Sequence, residues 1–160
     1  MNAGGRATVL LLLGSSLACT GMQRGESPVI GDMRNLISAQ TVYAASNAGH
    51  YGPLACLAAP ADCLGDYTGP RFLDERLAAL PDLDGYARRF YPGPAASPES
   101  GAAPGSFTSW ALLSVPFPPG EGEPQRSFCA DSSGAIRFAL DPMIPVLEAG
   151  LCPGDWALLQ

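Results

Sequence analysis

Ser27-Pro28-Val29-Ile30-Gly31-Asp32-Met33-Arg34-Asn35-Leu36-Ile37-Ser38-Ala39-Gln40-Thr41-Val42-Tyr43-Ala44-Ala45-Ser46-Asn47-Ala48-Gly49 is the stretch on which the fold expectation rests. Ser27 can cap free amides, and Pro28 tolerates the first helical turn. Ile30, Met33, Leu36/Ile37, Gln40 and Tyr43/Ala44 then recur at three- and four-residue steps, which is one helical stripe. Asp32, Asn35 and Ser38 fall away from that stripe. Gly31 weakens the first turn, and Asn47-Ala48-Gly49 supplies a stop. The pattern predicts a helix over 28–47, with Met33, Ile37 and Ala44 buried and Asp32 and Ser38 in water.

Downstream, residues 50–70 read as a loop rich in Gly, Pro and Ala. A short helix is expected at 72–80, where Phe72, Leu73, Leu77 and Leu80 share a face before Pro81. The period then changes to two. Residues 86–91, 107–115, 126–130 and 135–140 read as four strands. In the second of these both faces are partly apolar, and Asp131-Ser132-Ser133-Gly134 is a tight turn between the last two. Segments 92–105, rich in Pro, Gly and Ala, and 116–125, rich in Pro and Gly, are expected to be mobile inter-strand loops. The expected fold is α+β: a long N-terminal helix packed on an antiparallel sheet of about four strands.

Upstream, Met1–Arg6 carries one positive side chain, Val9–Leu13 is apolar, and Gly14-Ser15-Ser16-Leu17-Ala18 is a small-residue exit. This is the layout of a secretory signal peptide over 1–18, about half the length that a membrane span needs. The chain is therefore expected in a compartment where disulfides persist. Ser16-Leu17-Ala18-Cys19 resembles a bacterial lipobox, although Ser16 stands where that motif prefers Leu. Cys19 would then be lipidated and become the mature first residue. Thr20 after it favours, by analogy with Gram-negative sorting, the outer membrane. Ser16 and Ala18 also fit ordinary small-x-small cleavage, which would leave Cys19 as a spare thiol. Residues 19–27 read as a polar tether, and 28–160 as one domain.

The net charge is −6, and all nine basic residues are Arg. A dilute acidic chain lacks the clustered positive charge that nucleic acid requires, so no nucleic-acid partner is expected.

The order of segments resembles the globular part of type IV pilins and pseudopilins. The residues that carry the likeness are Gly31–Tyr43 in the helix, His50-Tyr51-Gly52-Pro53-Leu54 after it, and Arg126–Arg137 across the last hairpin. Pilins begin with a very apolar helix that polymerises subunits, and nothing of that kind follows Cys19. The resemblance implies a pilin-like domain without the main filament contact, in which a lipid on Cys19 replaces the anchor but not the helical packing.

Without Cys19, four cysteines allow three pairings. Cys56–Cys63 and Cys129–Cys152 are the closest in sequence. They also agree with the resemblance, since a bridge of the second kind surrounds the variable C-terminal region of many pilins. A metal or redox role has less support, because no two cysteines stand at C-x-x-C. His50 is the only histidine and reads as a loop residue, and no G-x-S-x-G turn appears. Asp82-Leu83-Asp84-Gly85 lacks the third Asp and the distal Glu of a calcium loop. Asp141, Glu148 and Asp155 are poorly spaced for calcium, and Asp74 and Glu75 form a solvated face. No cofactor or metal is expected.

The expected role is non-enzymatic: an envelope lipoprotein, periplasmic or outer-membrane attached, held by lipid on Cys19. It would contact a protein partner, with pilus or type II secretion components implied by the resemblance. Two rivals stay open. An envelope hydrolase would need a catalytic partner at His50. A carbohydrate- or peptide-binding module would need Trp110, Tyr86, Phe90 or Tyr91 exposed as a platform.

Overall fold

The computed structural model describes residues 26–83, 85–117, 126–140 and 144–160. The stretch expected to be a signal peptide, Cys19, all but the last two residues of the expected tether, Asp84, Asp141 and most of the expected loop at 116–125 lie outside the described residues. Helix α1 (Glu26–Ala45) is followed by α2 (Leu54–Ala58), a 3-10 turn at Pro60–Asp62 and α3 (Glu75–Ala78). Strands β1 (Tyr86–Pro92), β2 (Trp110–Pro116), β3 (Ser127–Asp131), β4 (Ile136–Ala139) and β5 (Ala157–Leu158) form one antiparallel sheet in the order β1-β2-β3-β4-β5.

This arrangement corrects the sequence-based fold. The sheet has five strands, not about four, and the expected pilin-like pairing of a long helix with a four-stranded sheet is not what forms. The helix is 20 residues and ends at Ala45. The fifth strand is only two residues long, Ala157↔Phe138 and Leu158↔Arg137, too short to show a period of two. The helix expected over 72–80 contracts to four residues, capped by Asp74, whose Oδ1 accepts from the Arg76 amide at 2.8 Å. Pro70 and Pro81 leave little room for more.

The strands place two sets of side chains on opposite sheet faces. One set, with Trp110, Leu112, Phe128, Ala130 and Ile136, shares a core with Val29, Met33, Leu36 and Tyr43 of α1. The other set, Ala111, Leu113, Val115 and Cys129, packs with Cys152, Leu147 and Trp156 of the C-terminal segment. Every residue of β2 is buried, which accounts for its apolar character at both parities.

Helix α1 departs from the simple stripe at its polar residues. Met33 and Ala44 are buried and Ser38 is exposed, but Ile37 is only half-buried. Asp32, expected in water, is buried, and its Oδ2 accepts from Arg88 Nη1 at 2.8 Å. Arg88 points to the helix side of β1, so its charge needs a partner there, and Asp32 is that partner. Gln40 is fully buried and acts as a piece of backbone. Its Nε2 donates to the Gly52 carbonyl at 2.7 Å, and its Oε1 accepts from the Gly52 amide at 3.1 Å. Gly52 is required at this approach, because a Cβ there would lie 2.5 Å from the Tyr43 ring.

The segment between β1 and β2, expected to be mobile, is tied down. Gly93 donates to Ser109, Thr108 to Pro94 and Ala96 to Ser106, which extends the hairpin beyond its strands. Asn47, just past α1, accepts from the Ala103 amide at 2.7 Å and donates to Ser106 Oγ at 2.8 Å. A low-complexity stretch is thus ordered by side chains that lie far away in sequence.

Candidate functional site

One end of the sheet gathers the most strongly interacting charges. β2 finishes there at Pro116, β3 begins there after Arg126, and β1 begins there at Tyr86, opposite Pro116 in the ladder. Glu26, the first residue of α1, reaches the same end. Its side chain is 2% exposed and takes a two-pronged grip from Arg126: Nε donates to Oε1 at 3.1 Å, and Nη2 donates to Oε2. A carboxylate at a helix start also answers the positive end of the helix dipole. The Arg126 guanidinium lies 4.9 Å from the Phe138 ring centroid and 5.3 Å from that of Phe128.

Tyr86 closes the cluster. Its ring packs 6.0 Å from Phe128, and its buried hydroxyl has no hydrogen-bond partner among the described residues. Burial, with the Glu26 charge adding to it and Arg126 opposing, pushes its pKa up to about 12. The hydrogen bond to Glu26 raises Arg126 above its already high value. The arrangement is a closed, neutralised pair under aromatic rings. It can fix the start of α1 to the residue that leads into β3, with the Glu26 carboxylate enclosed and the Arg126 side chain 26% exposed.

The cysteines form two bridges. Cys56–Cys63 and Cys129–Cys152 are bonded, with Cα separations of 5.7 and 5.8 Å. The first joins α2 to the loop beyond it. The second holds the C-terminal segment on the sheet face away from α1, where Asp131 assists. Asp131 Oδ2 accepts from the Cys152 amide at 2.9 Å, while its Oδ1 accepts from the Ser133 amide and hydroxyl within the turn. By loop-closure entropy the longer bridge contributes about 3.5 kcal/mol and the shorter about 2.5 kcal/mol. Cys129→Ser/Cys152→Ser should therefore lower the urea midpoint more than Cys56→Ser/Cys63→Ser. An unchanged midpoint for the first pair would mean that the C-terminal segment holds its place without the bond.

The other sequence candidates are dispersed. His50 is half-buried, and its Nδ1 lies 2.9 Å from the Ala48 carbonyl, which makes that nitrogen the donor. Asp82, Glu148 and Asp155 are each exposed, and Glu75 forms an exposed ion pair with Arg71. Among the described residues no three His, Cys, Asp or Glu side chains stand close enough to hold a metal ion. Trp110 and Tyr86 are each 1% exposed, so they form core and not a binding platform. Phe90 stacks on Trp110 at 6.0 Å, and Tyr91 packs against the opposite face.

Sequence reasoning missed Glu26, Arg126 and Arg88 as structural partners. Only the sparseness of charge in the chain hinted that each one could matter. No protein-family model, no curated protein and no solved structure matches this chain.

Proposed function

We propose that the protein is an exported, lipid-anchored envelope component whose domain acts by contact with another protein and not by catalysis. One observation carries this reading. The two bridges use Cys56, Cys63, Cys129 and Cys152, and leave Cys19 as the odd cysteine, directly after the small-residue exit of the leader. Disulfides suit an oxidising compartment outside the cytoplasm. An odd cysteine in such a compartment calls for a covalent fate, and acylation supplies one. The segment likeness to pilins and pseudopilins points to pilus or type II secretion components as the partner class. It supports the choice of partner and nothing about the sheet.

Two features favour contact over chemistry. The buried carboxylates are each occupied within the fold: Glu26 by Arg126, Asp32 by Arg88, and Asp131 by the Cys152 amide and the Ser133 turn. The depression lined by Asn47, Cys63, Asp66 and Tyr67 carries a single charged side chain, Asp66.

The test is mass spectrometry of the mature N-terminus, combined with fractionation of Cys19→Ala. The expected result is an acylated Cys19 as first residue, with Cys19→Ala released from membranes. A variant that still sediments with membranes, or a mature chain that starts elsewhere, would refute the anchor.

A further inference from the structure

The geometry points to the Glu26 end of the domain as a lipid-facing surface, with Phe117 and Leu140 lying in the interfacial zone of the bilayer. This inference rests on the anchor at Cys19 proposed above and adds the orientation of the domain to it.

Seven large apolar side chains are exposed among the described residues, Val146, Leu151 and Leu158 of the C-terminal segment included, and two of the seven flank the Glu26 end of the sheet. Phe117 directly follows β2 and is 67% exposed; Leu140 directly follows β4 and is also 67% exposed. Both strands finish at the end of the sheet where Arg126 leads into β3 and Glu26 opens α1. The two-pronged Glu26–Arg126 pair fixes the first residue of α1 to this same end.

The length of chain outside the domain identifies the occupant. Six residues, 20–25, separate Cys19 from Glu26. Fully extended, the path from Cys19 to Glu26 spans at most about 25 Å. A lipid on Cys19 thus keeps the Glu26 end within one short tether of the headgroups, whereas the far end of α1 stands about 28 Å further along the helix axis. A net charge of −6 gives no electrostatic attraction to an anionic leaflet. The attraction left is burial of apolar rings and branched side chains at the interface, which suits a zwitterionic surface. A second copy of the chain is the competing occupant, and the same measurement separates the two.

The test uses the full chain, purified from membranes with its native N-terminus and reconstituted into phosphatidylcholine vesicles with or without brominated acyl chains. Flotation of wild type against Cys19→Ala reads the anchor. Tryptophan emission of Phe117→Trp, Leu140→Trp and Val42→Trp, over the wild-type background, reads the surface. Val42 is 51% exposed near the far end of α1 and is the control. The expected result is a blue shift and loss of emission with brominated lipid for Phe117→Trp and Leu140→Trp, and none for Val42→Trp. If wild type floats while Phe117→Trp and Leu140→Trp stay as unquenched as Val42→Trp, the surface is wrong and the anchor stands. If neither wild type nor Cys19→Ala floats, both readings fall. A blue shift that appears without lipid, whether or not it grows with protein concentration, assigns the surface to another copy or to the chain itself and overturns the lipid.

Discussion

Asp32→Ala is expected to destabilise the domain by about 3–5 kcal/mol, because it strands a buried guanidinium. The Arg88 side chain is 1% exposed. With Asp32 gone it would retain one acceptor, the Pro81 carbonyl at 2.7 Å from Nε, while Nη2 already has no partner among the described residues. In a domain of this size the melting temperature should fall by roughly 10 °C. Ile37→Ala, at a half-buried position, should cost less. That ranking reverses the one read from helical periodicity, in which Ile37 carries the burial and Asp32 faces water. Asp32→Leu combined with Arg88→Met should recover most of the loss, since a packed apolar pair replaces a buried ion pair at little net cost. Thermal melts of the three variants decide the matter. An Asp32→Ala protein that melts with wild type would mean the pair is not closed in solution.

That reversal shows where local pattern ends. The helix over 28–47 was legible, because its stripe and its stop are written within one segment, and the observed span is Glu26–Ala45. The final hairpin was legible for the same reason: Asp131-Ser132-Ser133-Gly134 is turn chemistry, and Gly134 does take a positive φ of 80°. The mixed parity of β2 signalled that both faces of the sheet are covered, although not by what. What stayed hidden depends on partners that are remote in the chain. Asp32 meets Arg88 across 56 residues, Asn47 meets Ser106 across 59, and Glu26 meets Arg126 across 100. A two-residue strand such as β5 owes its existence to the edge of β4 and not to any propensity of its own. The adjacent Arg88 and Arg89 look alike in sequence, yet alternation sends one into the core and the other into water.

Arg126→Ala should cost a similar 3–5 kcal/mol, and for the mirror-image reason: it strands a carboxylate. Glu26 has its side chain 2% exposed, and both of its oxygens are held by Arg126. The loss should exceed what the cation–π contacts to Phe128 and Phe138 contribute, about 1–2 kcal/mol. Arg126→Lys should recover only part of it, because an ammonium cannot fill both prongs or stack between two rings. The same cluster gives a distinct alkaline signature through Tyr86. An unfolded tyrosine loses its proton near pH 10, whereas burial beside Glu26 holds that of Tyr86 to about 12. Between those values the unfolded chain binds fewer protons than the native one, so unfolding free energy falls as pH rises through the window. The stability tied to Tyr86 is thus fully present below pH 10 and lost towards pH 12. Tyr86→Phe should flatten that decline while leaving stability at pH 7 little changed, because the hydroxyl it removes is buried without a partner among the described residues. Urea unfolding at pH 7, 10 and 11.5 measures both effects. If Arg126→Ala unfolds at the wild-type midpoint at pH 7, Glu26 does not lock α1 to β3. The Glu26 end would then be free to swing on its tether, and the orientation argued for the membrane-facing surface would lose its fixed point.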